Sequence, residues 1–225
     1  FFVNFFILTL IANFSYFNNK EYITFVCLFI LVFFLYFWII CILYSRDKPR
    51  NAILELIASR SKVKNLKKLI GAEVGVFKVS YSSQITNFFK SKDILTNLHL
   101  IDPWKINDEF KEYGNDKLEE AYLYVKNKFK NNKSIEIIRL SSAEASVKFD
   151  DNFFDFVYID GNHEYKYVKQ DLELWFPKLK KDGILFGDDY LRPYGVQKAV
   201  EEFTHEKKLI VHFTDNGNQF YFIKN

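Results

Sequence analysis

The sequence predicts an α/β protein with a mostly parallel sheet, its last two strands antiparallel, preceded by an N-terminal transmembrane segment. Three observations predict it. From residue 72 onward, short apolar runs alternate with stretches of helical period, the pattern of βαβ units. The last two apolar runs are joined only by "TDNGN", too short for a crossover, so they pair as an antiparallel hairpin. Residues 22–44, "YITFVCLFILVFFLYFWIICILY", carry no charge, and a spanning helix needs about 20 such residues.

The N-terminal part, residues 1–48, reads as a hydrophobic membrane anchor with its transmembrane helix over 22–44. Residues 1–17 are also apolar but contain Asn4, Asn13 and Ser15. They read as a truncated first span, an interfacial segment or a damaged signal sequence, and the missing basic n-region counts against the last. A two-span hairpin turning at "NNKE" is the favoured reading. The chain begins with Phe1 and contains no Met, so it is read as a fragment lacking its true start. Arg46, Lys48, Arg50, Lys62, Lys64, Lys67 and Lys68 follow the span, and such a flank predicts a membrane location with the following domain on the cytoplasmic side. Pro49 marks the boundary, and residues 49–225 form the second domain.

Composition sets outer limits. With 225 residues and 49% hydrophobic content, the chain can bury one sizeable core. A net charge of +3 is too small to argue for nucleic acid, and none is expected as a partner. Cys27 and Cys41 both lie in the apolar part, so the remainder has no disulfide framework.

The strands are expected at 72–76, 97–101, 135–139, 154–159, 184–187, 208–213 and 219–223. Helices are expected at 82–90, 117–129, 164–176 and 195–204. "KLEEAYLYVKNKF" places Leu118, Ala121, Tyr122, Val125 and Phe129 on one face, the stripe of a helix packed on a sheet.

Ligands of such sheets bind at the carboxyl ends of the strands. The first strand ends in "GVFKVSYSS", where Gly75 allows close backbone approach. The spacing G-x-G-x-x-G is absent, and no Gly-Lys-Ser/Thr follows, which excludes a dinucleotide fingerprint and a P-loop. Asp102 ends the second strand, where an acid accepts hydrogen bonds from ribose hydroxyls. Pro103 directly after it argues against a simple helix cap. Gly75 and Asp102 together point to a nucleoside ligand. The segment "PWKINDEFKEYGND", 103–116, is expected to help form an acceptor pocket.

The run "GAEVGVFK…LHLIDPW…IEIIRLSSAEA…FDFVYIDGNHEYKYVKQDLELWFPKLKKDGILFGDDY…GVQKAVEEF" resembles the class I S-adenosylmethionine-dependent methyltransferases, in the branch of macrocin-type small-molecule and sugar O-methyltransferases. The resemblance covers nearly all of residues 70–225. It implies a Rossmann-like seven-stranded sheet of order 3-2-1-4-5-7-6 with the last strand antiparallel. It implies S-adenosyl-L-methionine as cofactor, with Glu73, Gly75 and Val76 near the methionine end, Asp102 on the ribose and Ser142 by the adenine. "YIDGNHEY", with Asp160 and His163, would lie beside the reacting methyl. The sequence departs from the family pattern at Val79, usually Gly, at Leu140 and Ser141, often Gly-Asp, and at Asn162, commonly Asp.

"GILFGDDY" brings two further acids to the end of the fifth strand. Neighbouring strands lie about 4.8 Å apart, so Asp160, Asp188 and Asp189 are expected to converge. Their mutual repulsion calls for a cation, and hard oxygen ligands suit Mg²⁺, Mn²⁺ or Ca²⁺. Metal-dependent relatives in the resembling family hold a divalent ion with acids at these positions. His163 is a candidate general base, or else a residue that only orients its loop. His99, His205 and His212 read as structural. The expected activity is O-methylation of a hydroxylated small-molecule, sugar or lipid-linked acceptor, with Mg²⁺ or another divalent cation assisting. The alternatives are a membrane-tethered binding or regulatory module that lost catalysis, suggested by Val79 and Asn162, and an enzyme of the same fold using a nucleotide sugar or nicotinamide cofactor.

Overall fold

A computed structural model describes residues 19–106, 111, 114–191, 195–215 and 217–225, with 19–27 and 40–50 described by backbone alone. The chain divides into two compact units, Phe1–Lys48 and Pro49–Asn225.

The first helix, α1, covers Asn19–Val63. Among the described residues no helix is long and apolar enough to cross a membrane. This corrects the expected transmembrane segment and the expected membrane location with a cytoplasmic catalytic domain. The reading of residues 1–17 falls outside the described residues, as does part of the 103–116 segment.

The second unit carries the sheet. Its strands are β1 (Lys68–Val74), β2 (Leu95–Ile101), β3 (Ile135–Ile138), β4 (Phe154–Ile159), β5 (Leu179–Gly187), β6 (His212–Phe213) and β7 (Phe220–Ile223). They lie in the order β3-β2-β1-β4-β5-β7-β6. The pairings from β3 through β5 are parallel, and β7 runs antiparallel to both β5 and β6. The Rossmann-like sheet, its order and its antiparallel last strand therefore agree with the sequence-based expectation.

Between the strands lie α2 (Ser80–Ser91), α3 (Gly114–Phe129), α4 (Ser142–Ser146), α5 (Tyr165–Trp175) and α6 (Val196–Lys207). One face of the sheet is covered by Ile53, Leu54 and Ile57 of α1 together with Ile85 and Phe89 of α2 and Val125 of α3. Ala145, Leu172, Trp175, Val200 and Phe203, from α4, α5 and α6, cover the other. Strands buried on both faces read as continuous apolar runs, which is why "FDFVYI" and "ILFG" stood out. Both covered faces fix the sheet as a platform and leave its carboxyl edge to carry polar side chains.

Candidate active site

The strand register builds the site. Val74 pairs with Ile101 and Ile159, Ile159 with Gly187, Gly187 with Phe220, and Phe220 with Phe213. One residue beyond this apolar row stand Asp102, Gly75, Asp160, Asp188, Gln219 and Thr214. The core thus ends in a line of polar residues and one glycine.

Gly75 has φ +89°, and a Cβ on it would lie 2.2 Å from the Asp160 carbonyl oxygen. Only glycine lets the turn after β1 close against the loop after β4. Asp102 ties this turn down. Its Oδ2 accepts from the amides of Val76 at 3.0 Å and Phe77 at 2.9 Å, and its Oδ1 accepts from the Trp104 amide at 2.6 Å. Burial raises the Asp102 carboxyl above its ordinary range, and the backbone donors of Phe77, Trp104 and Val76 oppose that rise. Phe77 and Trp104 hold left-handed φ values of +48° and +45°, which the three amide bonds and the Trp104 Nε1 bond to the Phe77 carbonyl stabilise. Val76 thus contributes an amide to the turn rather than a side chain.

A cavity of about 350 Å³ opens at this edge, with walls from Gly75, Phe77, Asp102, Ser142, Asn162 and Asp171 among others. That size is within the range of small-molecule sites. Glu73 is buried and accepts the Ser82 hydroxyl at 2.5 Å, on the face covered by α2. Ser142 sits on α4, which begins with a capping box between Ser141 and Glu144. Its hydroxyl donates to Asp171 Oδ1 and accepts from Trp175 Nε1 at 2.8 Å. Asp171 is buried, and burial pushes its carboxyl up to about 7. Sequence reading passed over Asp171, although a signal existed. It occupies the i+3 position of a helical face otherwise made of Val168, Leu172 and Trp175.

At the cavity wall formed by Asp160, the residues Asp160, His163 and Asp189 each offer a ligand atom, and these atoms lie within 4.8 Å of one another. His163 Nε2 is 2.9 Å from Asp189 Oδ2 and 3.6 Å from Asp160 Oδ1. The Tyr158 hydroxyl donates to Asp160 Oδ2 at 2.8 Å. Asp188 takes a different position from the one expected. Its Oδ1 accepts from the Asn218 amide at 2.5 Å and from the Asp189 backbone at 2.9 Å, anchoring the β6–β7 hairpin. Asp189 has φ +61°, and it is this residue that meets the imidazole. The structure therefore groups Asp160 and Asp189 with His163, and ties Asp188 to Asn218 and the Asp189 amide.

Sheet order, glycine turn, ribose-type acid and the cavity between them define the class I S-adenosylmethionine-dependent methyltransferase fold. A family model described as a methyltransferase domain matches residues 72–190, more than half of the chain, and the chain belongs to that family. An uncharacterized protein of Sinorhizobium fredii, y4gI, is 31% identical over 108 residues, covering 46% of this chain but 11% of that protein. The chain thus spans about a tenth of the length of this curated relative. Among solved structures, the O-methyltransferase NovP superposes with a TM-score of 0.62 at 14% identity, covering 79% of this chain and 80% of its own. A putative caffeoyl-CoA O-methyltransferase from Staphylococcus aureus gives 0.52 at 16% identity, with coverages of 82% and 91%. At these identities the likeness is one of fold.

Proposed function

We propose that residues 49–225 form a methyltransferase that uses S-adenosylmethionine to methylate a hydroxyl of a small-molecule or sugar-containing acceptor, assisted by a divalent cation. The observation that carries this reading is the adjacency of the cavity at Gly75 and Asp102 to the cluster of Asp160, His163 and Asp189. The solved neighbours named above, an O-methyltransferase and a putative one, favour oxygen as the accepting atom.

Asp102 and the turn it fixes hold the ribose, Ser142 lies toward the adenine, and Asp160 stands between cofactor and acceptor. When bound, the cofactor would supply a sulfonium methyl for in-line displacement by the acceptor oxygen, the O–C bond forming as the C–S bond breaks to leave a neutral thioether. His163 would take the hydroxyl proton. Positioning supplies most of the gain in such a displacement. The Asp189 carboxylate, 2.9 Å from His163 Nε2, orients the imidazole at the carboxyl edge of the sheet. The carboxylates of Asp160 and Asp189 would hold a divalent ion such as Mg²⁺ or Mn²⁺ through their oxygens, with the His163 imidazole beside them kept for the proton. When bound there, such an ion lowers the pKa of the acceptor hydroxyl.

Val79, where the family usually has glycine, carries no backbone strain: it precedes α2 at φ −74°, a conformation open to any residue. Activity on hydroxylated acceptors is expected to disappear with EDTA and return with Mg²⁺ or Mn²⁺, and Asp189→Ala is expected to abolish that return while S-adenosylhomocysteine still binds. Full turnover in EDTA would refute the metal reading and leave His163 as the base acting alone.

A further inference from the structure

One wall of the cofactor cavity carries a donor and an acceptor that the mechanism above does not use. Asn162 Oδ1 accepts from the Glu164 amide at 2.8 Å, which fixes the orientation of the carboxamide. Its Nδ2 is buried and has no hydrogen-bond partner among the described residues. An unsatisfied buried donor is unfavourable, and native structures seldom leave one without a water or ligand to receive it. Next to it in the chain, Gly161 has no side chain, and a Cβ there would lie 3.6 Å from Asp171 Oδ2. Asp171 Oδ1 is committed to the Ser142 hydroxyl, which leaves Oδ2 on the side of the Asn162 loop. Ser141, the other hydroxyl on this wall, is tied to Glu144 in the capping box.

An N–H donor beside a carboxylate acceptor is the complement of one edge of adenine, which offers a ring nitrogen as acceptor and the 6-amino group as donor. Ribose offers no such planar pair, and the Gly75–Asp102 turn already serves it. We propose that Asn162 and Asp171 together read the adenine edge of the cofactor, Asn162 donating to N1 and Asp171 accepting from the 6-amino group. This rests on the S-adenosylmethionine reading and adds to it the residues that set base specificity. It also gives Asn162, where the family commonly has an acid, a positive role: a carboxylate there could not donate.

The inosyl analogue tests this, because its 6-oxo group and N1–H reverse the donor and acceptor along that edge. Binding of S-adenosylhomocysteine and S-inosylhomocysteine is measured by calorimetry on the full chain, for wild type, Asn162→Ala and Asp171→Asn. Thermal melts confirm that each variant is folded. Wild type is expected to prefer the adenosyl ligand by about a hundredfold, two hydrogen bonds' worth, and each variant to reduce that preference by about tenfold. Asn162→Ala keeps the test decisive if Asp171→Asn fails to fold, since Asn162 lies in a loop. Wild type that binds the adenosyl ligand with no preference, or with a preference that Asn162→Ala leaves unchanged, overturns the inference while the cofactor reading stands. Wild type that binds neither ligand overturns the cofactor reading, and this inference with it.

Discussion

Asp171 shows how a single residue couples the site to stability. Its carboxyl is raised from 3.8 to about 7 by burial. Between those values the folded protein binds a proton that the unfolded chain has released. The sign is therefore destabilising as pH rises: the penalty is absent below about 4, grows through the window and is complete above about 7. Removing the charge should remove the slope. Asp171→Asn, which keeps an acceptor for Ser142, is expected to gain stability over wild type at pH 8 but not at pH 4, by on the order of 4 kcal/mol at most. Urea denaturation of the ligand-free protein at both pH values measures it, and identical wild-type and variant slopes would contradict the assignment. At this scale Gly75, Asp102 and Asp160 were legible in the sequence, because each follows directly on an apolar strand. The grouping of His163, rather than Asp188, with Asp160 and Asp189 was not. It depends on the left-handed backbone at Asp189 and on Asn218, which arrives from the distant hairpin to hold Asp188.

Whole elements were legible where a long apolar period marked them. "KLEEAYLYVKNKF" lies within α3, and "FDFVYI" is β4. Shorter pieces were not. The five-residue α4 has too few residues to show a period, and only its capping box announces it. Strand β6 shrinks to His212–Phe213 from the expected 208–213, since α6 continues to Lys207 and ends with Lys208 in a left-handed conformation. Strand β5 starts early, at Leu179, running through "KKDG" where turn chemistry masked it. The cap of α4 provides an element-scale prediction. Ser141→Ala removes the side-chain half of the box, the acceptor for the Glu144 amide, and loosens the helix that positions Ser142. The expected loss is about 1 kcal/mol of stability, with severalfold weaker S-adenosylhomocysteine binding. Thermal melts and titration of the same variant read both. A stability loss with unchanged binding would show that α4 does not shape the cofactor wall.

Across the whole molecule, the apolar N-terminal stretch and the sheet domain follow different rules. The stretch over 22–44 satisfied a length criterion for a span, yet among the described residues no helix meets the requirement. A charge-free run is a local property, whereas the sheet is specified many times over, by alternation, hairpin length, glycine placement and buried strands on both faces. That redundancy is why the sheet and its order were recoverable from sequence and the anchor was not. The central claim is that the carboxyl edge of this sheet binds an adenosyl cofactor through the turn that Asp102 holds. Calorimetric titration of S-adenosylhomocysteine into the full chain, wild type against Asp102→Ala, tests it most directly. One site per chain is expected in wild type, with binding at least about tenfold weaker in the variant, because a charge-assisted acceptor and the three-amide anchor of the turn are lost together. A folded wild-type protein that gives no binding, or a folded variant that binds as tightly as wild type, would contradict the claim.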